Sequence, residues 1–368
     1  MVAHRFRSPD DAQLDELYHA MADADVQPLW LQEGLLPKCP PLRLRPWIWR
    51  AKTLADLAAR AQALVGIDRG GDRRVLALAH PDLAPRPFAT ETMWGAVQIL
   101  GPGETAPAHR HTPGALRFVL EGDGAWTAVD RDPIAMHEGD VLLTPNMRWH
   151  EHHNAGDGPM LWFDGLDLPL VHGIDAVFHE PGSDRVTDVD LDRPSAAERT
   201  YSAAGVVPDE ERPAVSHSPL TVYRWKDTDR ALGALLDHRG GASARVRFTD
   251  PTTGRDIMPT LRAGMVRLSS GQRTLTTRTV GSSIWVAFRG HGASVIAGQR
   301  FRWAAGDIFV VPSWAPVDHE SDEGADLFTM SDAPVMEALG LARSATLDAR
   351  QEIVADAPDA DAFSGSPA

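Results

Sequence analysis

Three histidines carry the chemistry this sequence offers. His109 and His111 flank Arg110, and His150 follows in a later β-like run. Side chains alternate between the two faces of a strand, so His109 and His111 point the same way. A third imidazole on a neighbouring strand then closes a facial set of three nitrogens around one metal ion. About three positions of an octahedron stay open to other ligands. Fe(II) is the reading that uses those positions, while Zn(II) also accepts three histidines and manganese and nickel are alternatives.

Further candidates share the histidines' strands. Arg117 lies six residues after His111, on the same face by parity. A buried arginine needs an anion, and its planar fork suits a carboxylate. Two partners fit: a substrate carboxylate, the preferred reading, or an internal acid such as Asp164 or Glu104. His152 shares the inward parity of His150 and is read either as an acid/base group toward a substrate hydroxyl or as an orienting residue. Trp94 and Gln98, four apart on the preceding strand, are candidates for the pocket wall, with plain core packing the alternative for the tryptophan. Asp164 is a candidate acceptor for a ligand imidazole. His137 and His153 read as surface residues.

The elements that must hold these groups are short. From about Arg73, runs such as Ala96-Val97-Gln98-Ile99-Leu100, Arg117-Phe118-Val119-Leu120 and Val141-Leu142-Leu143-Thr144 are separated by Gly, Pro and Asp, the texture of a sandwich or barrel. Ahead of them, Ser8-Pro9-Asp10-Asp11 is a helix start followed by Leu14, Leu17, Tyr18 and Met21 on one stripe. A Pro/Trp-rich arm runs from Pro28 to Trp49, and a second helix is expected over Thr53–Val65 with Thr53 as its cap. The β texture repeats. Gly103, Gly122, Gly139 and Pro145 recur as Gly271, Gly290, Gly306 and Pro312, at an offset of 168 for the first two and 167 for the last two. Two copies of one β module is the economical reading. The expected organisation is an N-terminal helical arm over 1–72, a first barrel with the metal site over 73–180, a linker over 181–220, a second barrel over 221–345, and a disordered tail over 346–368.

Bulk properties narrow the field. The 368 residues are 43% hydrophobic and 24% charged, which is globular, and a net charge of −15 disfavours nucleic acid and anionic membranes. Cys39 is the sole cysteine, so no intrachain disulfide forms. There is no apolar signal core and no run long enough to span a bilayer, making the cytoplasm the expected compartment.

Gly103 with His109-Arg110-His111, and Gly139 with Pro145, His150 and Asn154, resemble the two motifs of the cupins. Met147 departs from the second glycine of motif two. The glutamate that cupins usually place after the second histidine is replaced by Ala115, so the resemblance implies three neutral ligands. The ion then keeps its double charge, which favours a dianionic bidentate substrate. His109-Arg110-His111-Thr112, Ala115-Leu116-Arg117-Phe118, Trp149-His150-Glu151-His152 and Phe163-Asp164-Gly165-Leu166-Asp167 resemble the gentisate 1,2-dioxygenase family, which includes salicylate and 1-hydroxy-2-naphthoate dioxygenases. The likeness extends to Pro28-Leu29-Trp30, Thr249-Asp250-Pro251 and Met258-Pro259-Thr260.

The resemblance implies a mainly β bicupin, one Fe(II) per subunit in the N-terminal barrel on His109, His111 and His150, and a homotetramer. It implies ring cleavage by dioxygen between the carboxyl-bearing and hydroxyl-bearing carbons of a small aromatic hydroxy-carboxylate, gentisate first. Arg117 would clamp the carboxylate and His152 meet the hydroxyl. Pro113-Gly114 replaces a larger polar pair, and Gly114 is expected to open space near the metal. Thr277, Thr279 and Val317 stand where the second barrel's ligands would be, so that barrel is expected to bind no metal. Competing readings are a non-oxidative cupin isomerase or decarboxylase and a non-enzymatic bicupin.

Overall fold

The structure, a computed structural model, describes residues 11–66, 74–182, 186–187, 189–209 and 215–357. The chain divides into a short unit ending at Pro41 and a main body from Leu42. In the short unit, helix α1 (Ala12–Asp23) starts at Asp11, whose carboxylate accepts from Leu14 N at 3.2 Å. Ser8 and Pro9, expected to start this helix, lie outside the described residues. Trp30 Nε1 donates to the Tyr18 hydroxyl at 3.0 Å, tying the arm to the helix within the unit.

The main body contains two β barrels. Strand β1 (Trp47–Trp49) and helix α2 (Ala51–Leu64) lead to β2 (Val75–Ala77) and β3 (Trp94–Leu100). The first barrel continues with β4 (Thr105–His111), β5 (Ala115–Glu121), β6 (Ala125–Val129), β7 (Asp132–Ala135), β8 (Val141–Thr144), β9 (His150–Asn154) and β10 (Met160–Leu166). Helix α3 (Leu168–Gly173), β11 (His179–Pro181), helix α4 (Ala196–Tyr201) and β12 (Val222–Tyr223) follow. One sheet orders β12-β8-β5-β10-β3-β2, and the facing sheet orders β11-β4-β9-β6-β7.

After helix α5 (Trp225–Arg239), the second barrel is built from β13 (Ser243–Arg247), β14 (Arg262–Leu268), β15 (Gln272–Arg273), β16 (Thr277–Thr279), β17 (Ser283–Ile296), β18 (Gln299–Ala304), β19 (Ile308–Val311), β20 (Val317–Ser321) and β21 (Ala325–Ser331), closed by helix α6 (Ala333–Ala338). The long β17 serves both sides of this barrel. Its first half pairs with β19 and β21, its second with β18 and β20.

The barrels exchange their leading strands. β1 pairs with β19 of the second barrel although it precedes the first, and β12 pairs with β8 of the first although it precedes the second. The Gly-Asp turns of the repeat explain why. Asp140 accepts from Trp225 N at 2.9 Å and from Arg224, so it caps α5. Asp307 accepts from Ala51 N at 2.8 Å and from Arg50, so it caps α2. The expected Thr53 cap of α2 is therefore corrected: the helix begins at Ala51 behind Arg50, and a carboxylate distant in sequence replaces the local N-cap. These pairings cross the expected limits of residue 72 and residue 221. The expected 181–220 linker contains α4, whose Ser195 and Glu198 form a capping box. The expected tail is structured as far as it is described, with β22 (Ser344–Thr346) pairing β16 and β23 (Ala355–Asp356) pairing β18. Residues 358–368 lie outside the described residues.

Both faces of β5 are buried, which is why apolar residues occupy both of them, with Arg117 the one charge between Ala115 and Leu120. Val119 joins Leu142, Trp162 and Leu100 inside the first barrel. Phe118 faces the other way, into a core shared with Ile284, Val286 and Phe328 of the second barrel, and stacks on Phe328 at 4.4 Å. Phe118→Ala should therefore cost about 3–5 kcal/mol of stability, read as a lowered midpoint in denaturant unfolding of the whole chain.

Candidate metal centre

The strand register brings the three histidines together. His109 of β4 sits directly opposite His150 of β9, and ring centroids are 4.3 Å apart for that pair, 4.9 Å for His111–His150 and 5.7 Å for His109–His111. One nitrogen from each ring lies within 4.8 Å of the others, and among the described residues this is the one such convergence of three or more His, Cys, Asp or Glu side chains.

Each ring uses Nδ1 on a backbone carbonyl two residues away: His109 on Pro107 at 2.9 Å, His111 on Pro113 at 2.7 Å and His150 on Arg148 at 2.9 Å. A carbonyl only accepts, so each Nδ1 carries the proton and each Nε2 presents a lone pair. The Nε2 of His150 is buried without a hydrogen-bond partner, which suits a metal bond and leaves a costly orphan otherwise. Burial pushes the His111 imidazole down to about 4, the Arg117 cation adding to the effect, and holds His150 well below the usual imidazole range. These two rings are thus neutral and ready to donate at neutral pH.

Arg117 is 4% exposed and faces its cross-strand neighbour Asp164. Its Nη1 donates to Thr144 Oγ1 at 2.7 Å, and its Nε lies 3.1 Å from Asp164 Oδ1. That contact is an ion pair without hydrogen-bond alignment, because both atoms lack a bonded partner. Burial raises the Asp164 carboxyl to about 6 against the opposing pull of Arg117. The expectation that Asp164 orients a ligand imidazole is corrected, since carbonyls do that work at all three rings. Glu104, the other internal acid considered for Arg117, is taken by Arg74.

His152 is buried beside His150 at 5.8 Å between ring centroids. Its Nδ1 shares a 2.7 Å hydrogen bond with Thr127 Oγ1, and its Nε2 has no partner. Gln98 is buried on β3, opposite Trp162, while Trp94 packs at the end of that strand against Leu44, Leu83 and Phe88. Gly114 does not open space: a side chain there would meet Met258 Sδ at 3.0 Å and Asn146 Oδ1 at 3.3 Å. His153 is not at the surface but 5% exposed, stacked on Trp126 at 4.0 Å with Nε2 3.1 Å from Glu151. His137 is exposed on its side chain. Sequence reasoning missed Thr127, Thr144, Asp130 and Asp167 around the site. Only Asp167 carried any signal, through its place in the Phe163–Asp167 motif.

The second barrel preserves the frame without the histidine triad. Thr277 pairs with Val317 as His109 pairs with His150. Trp285, opposite Phe309 and Thr329, occupies the place of Arg117 opposite Leu142 and Asp164. His319 keeps a hydroxyl partner, Ser294 Oγ at 2.8 Å, but packs against Trp285.

Comparison with known proteins agrees with this geometry. A cupin-domain family model matches residues 96–166. Gentisate 1,2-dioxygenase of a Streptomyces species is 47% identical over 340 residues, covering 90% of this chain and 95% of that protein. This chain belongs to the gentisate and salicylate 1,2-dioxygenase family. Within that family, 5-aminosalicylate 1,2-dioxygenase of a Comamonas species is 34% identical, with 91% of each chain covered. The solved structure of salicylate 1,2-dioxygenase from Pseudoaminobacter salicylatoxidans with gentisate superposes with a TM-score of 0.88 at 42% identity, covering 94% of this chain and 96% of that one. This chain thus shares the bicupin fold of that ring-cleaving dioxygenase.

Removing one ring should empty the centre. His150→Ala should reduce bound metal from about one ion per chain to a small fraction, measured by elemental analysis after anaerobic loading and desalting.

Proposed function

We propose that this protein is an Fe(II)-dependent dioxygenase that cleaves the ring of a 2-hydroxyaryl carboxylate, gentisate foremost, between the carboxyl-bearing and hydroxyl-bearing carbons. The observation that carries the proposal is the convergence of three proton-fixed imidazoles beside a buried arginine whose ion pair is not fully bonded. His109, His111 and His150 would hold the ion. When bound, Fe(II) supplies the one-electron chemistry that lets dioxygen react with a closed-shell ring.

The protein's own groups do the rest. Three neutral imidazoles add no negative charge, so a dianionic substrate balances the divalent ion. Arg117 would take the substrate carboxylate with the fork edge that Asp164 leaves unaligned. His152, held by Thr127, would meet the substrate hydroxyl through its unpartnered Nε2 and hold or accept its proton. Gln98 and Trp94 are proposed for the pocket wall. At Gly114 the occupied volume makes the proposed role one of shaping the wall through Met258 rather than enlarging it. Both atoms of dioxygen enter the product.

Gentisate is favoured because the 47% identical Streptomyces relative bears that name. Salicylate, a substituted salicylate and 1-hydroxy-2-naphthoate form the second reading, favoured by relatives named for the 5-amino and naphthoate substrates and by the salicylate enzyme's superposition. The proposed assembly is a homotetramer, supported by the exposed Leu29, Trp30, Leu35 and Leu36 of the N-terminal unit. A cytoplasmic location is proposed with it; no helix among the described residues is long and apolar enough to cross a membrane.

Anaerobic Fe(II) loading followed by oxygen-electrode assays with gentisate, salicylate, 5-substituted salicylates and 1-hydroxy-2-naphthoate tests this reading. Stoichiometric oxygen uptake with at least one of these is expected; its absence with all of them favours a non-oxidative or non-enzymatic cupin. Arg117→Ala should weaken kcat/KM through KM, by about 2–3 kcal/mol, and an unchanged KM removes the clamp from the scheme.

A further inference from the structure

The carbonyls that hold the ligand rings are themselves held, and at two of the three the holder is a carboxylate. His111 Nδ1 donates to Pro113 O at 2.7 Å, and the N–H of the same peptide unit, Gly114 N, donates to Asp167 Oδ1 at 2.8 Å. His150 Nδ1 donates to Arg148 O at 2.9 Å, and the N–H of that peptide unit, Trp149 N, donates to Asp130 Oδ1 at 3.1 Å. In each case a single planar amide stands between an aspartate and an imidazole.

We infer that Asp167 and Asp130 are positioning residues for the metal centre, each acting through one peptide plane on a ligand histidine. A negative charge at the amide N–H polarises the unit and makes its oxygen a stronger acceptor, since hydrogen bonds in a chain reinforce one another. The stronger acceptor fixes the ring and increases electron density at Nε2. A carboxylate bonded directly to a ligand histidine has the same effect. Here the carboxylate sits one amide further out.

The third ring shows why the support is needed where it occurs. The carbonyl for His109 belongs to Pro107, inside β4, where pairing of His109 with Pro181 of β11 already fixes the chain. Pro113 and Arg148 lie outside any strand, in the segments before β5 and β9. Those peptides would be free to tilt without an external anchor.

The two aspartates differ in strength. Asp130 is half exposed and also bonds Arg148 Nη1 at 2.8 Å, so solvent and a cation share its charge. Asp167 is 1% exposed, and its other oxygen accepts from Thr260 Oγ1 at 2.5 Å. Thr260 belongs to the second barrel, between β13 and β14, and Met258 two residues earlier fills the space beside Gly114. The barrel without the histidine triad thus reaches His111 through Thr260, Asp167 and the Pro113–Gly114 amide.

The inference rests on the metal centre proposed above, and the test separates the two. Fe(II) affinity of the full chain is measured anaerobically by competition with a coloured chelator, alongside the visible spectrum of the Co(II)-loaded protein and the melting temperature of the metal-free protein. Wild type should bind about one ion per chain. Asp167→Asn should weaken binding roughly tenfold or more and shift the Co(II) bands. Asp130→Asn and Thr260→Val should weaken it a few-fold, with Thr260→Val adding nothing in an Asp167→Asn background. A purely structural role predicts lower melting temperatures with unchanged affinity and spectrum. That outcome in Asp130→Asn and Thr260→Val, which keep their folds even if Asp167→Asn does not, overturns the inference. If wild type itself binds no metal, the centre is refuted and the relay falls with it.

Discussion

The site depends on the register of β4 against β9. His109 and His150 face each other across that ladder, and His111 and His152 follow by the two-residue period of each strand. A slip of one residue would send every one of these rings to the opposite face. What prevents the slip is burial: β9, polar throughout, is buried along its whole length, and β6 on its other side contributes Ala125 and Val129 to the barrel core. The chemistry is therefore held by packing immediately beside it, Val129 lying directly opposite His150. The carbonyl contacts of the three Nδ1 atoms then refine rings that the register has already brought together.

The repeat shows what the fold requires and what it merely permits. Both barrels keep the Gly-Asp turn, and in both the aspartate caps a helix arriving from outside the barrel. Both place a large residue in left-handed backbone at the same point, Met147 at φ 56° and Trp314 at φ 64°, each donating its N–H to the strand that carries or would carry ligands. The frame is conserved within the chain because strand exchange and the shared Phe118–Phe328 core need two matching partners. The ligands are not: Thr277 and Val317 stand where His109 and His150 face each other in the first barrel, and Trp285, Phe309 and Val317 belong to an apolar core.

Much of this was legible in residue order. The alternation of His109, His111 and Arg117, and of His150 and His152, predicts a common inward face because strand parity is a local rule. The paired glycines predict two barrels for the same reason. The cap of α2 was not legible, because Asp307 lies 256 residues from Ala51 and no local pattern announces it. His153 looked like a surface residue because it follows an inward one, yet the facing Trp126 buries the outer side of β9 as well. Gly114 looked like open space because a missing side chain says nothing about which neighbour fills the gap, and that neighbour, Met258, comes from the other barrel. The local rules succeeded within strands and failed where separate parts of the chain meet.

The buried pair of Arg117 and Asp164 is the strongest physical sign of use. Taking two charges out of water is expensive, and the attraction offsets that only with well-aligned hydrogen bonds. Here Arg117 Nε and Asp164 Oδ1 approach to 3.1 Å without such alignment. The second barrel occupies the same two positions with the buried Trp285 and the half-buried Thr329, neither of them charged, so the frame does not need the ions. The charges of the pair cancel, and the three imidazoles contribute none. A divalent ion would then meet a pocket of zero net charge, and only an anionic substrate restores balance, with a carboxylate positioned to compete with Asp164 for the guanidinium. An internal ion pair left short of its hydrogen bonds is what a fork awaiting a second acid looks like.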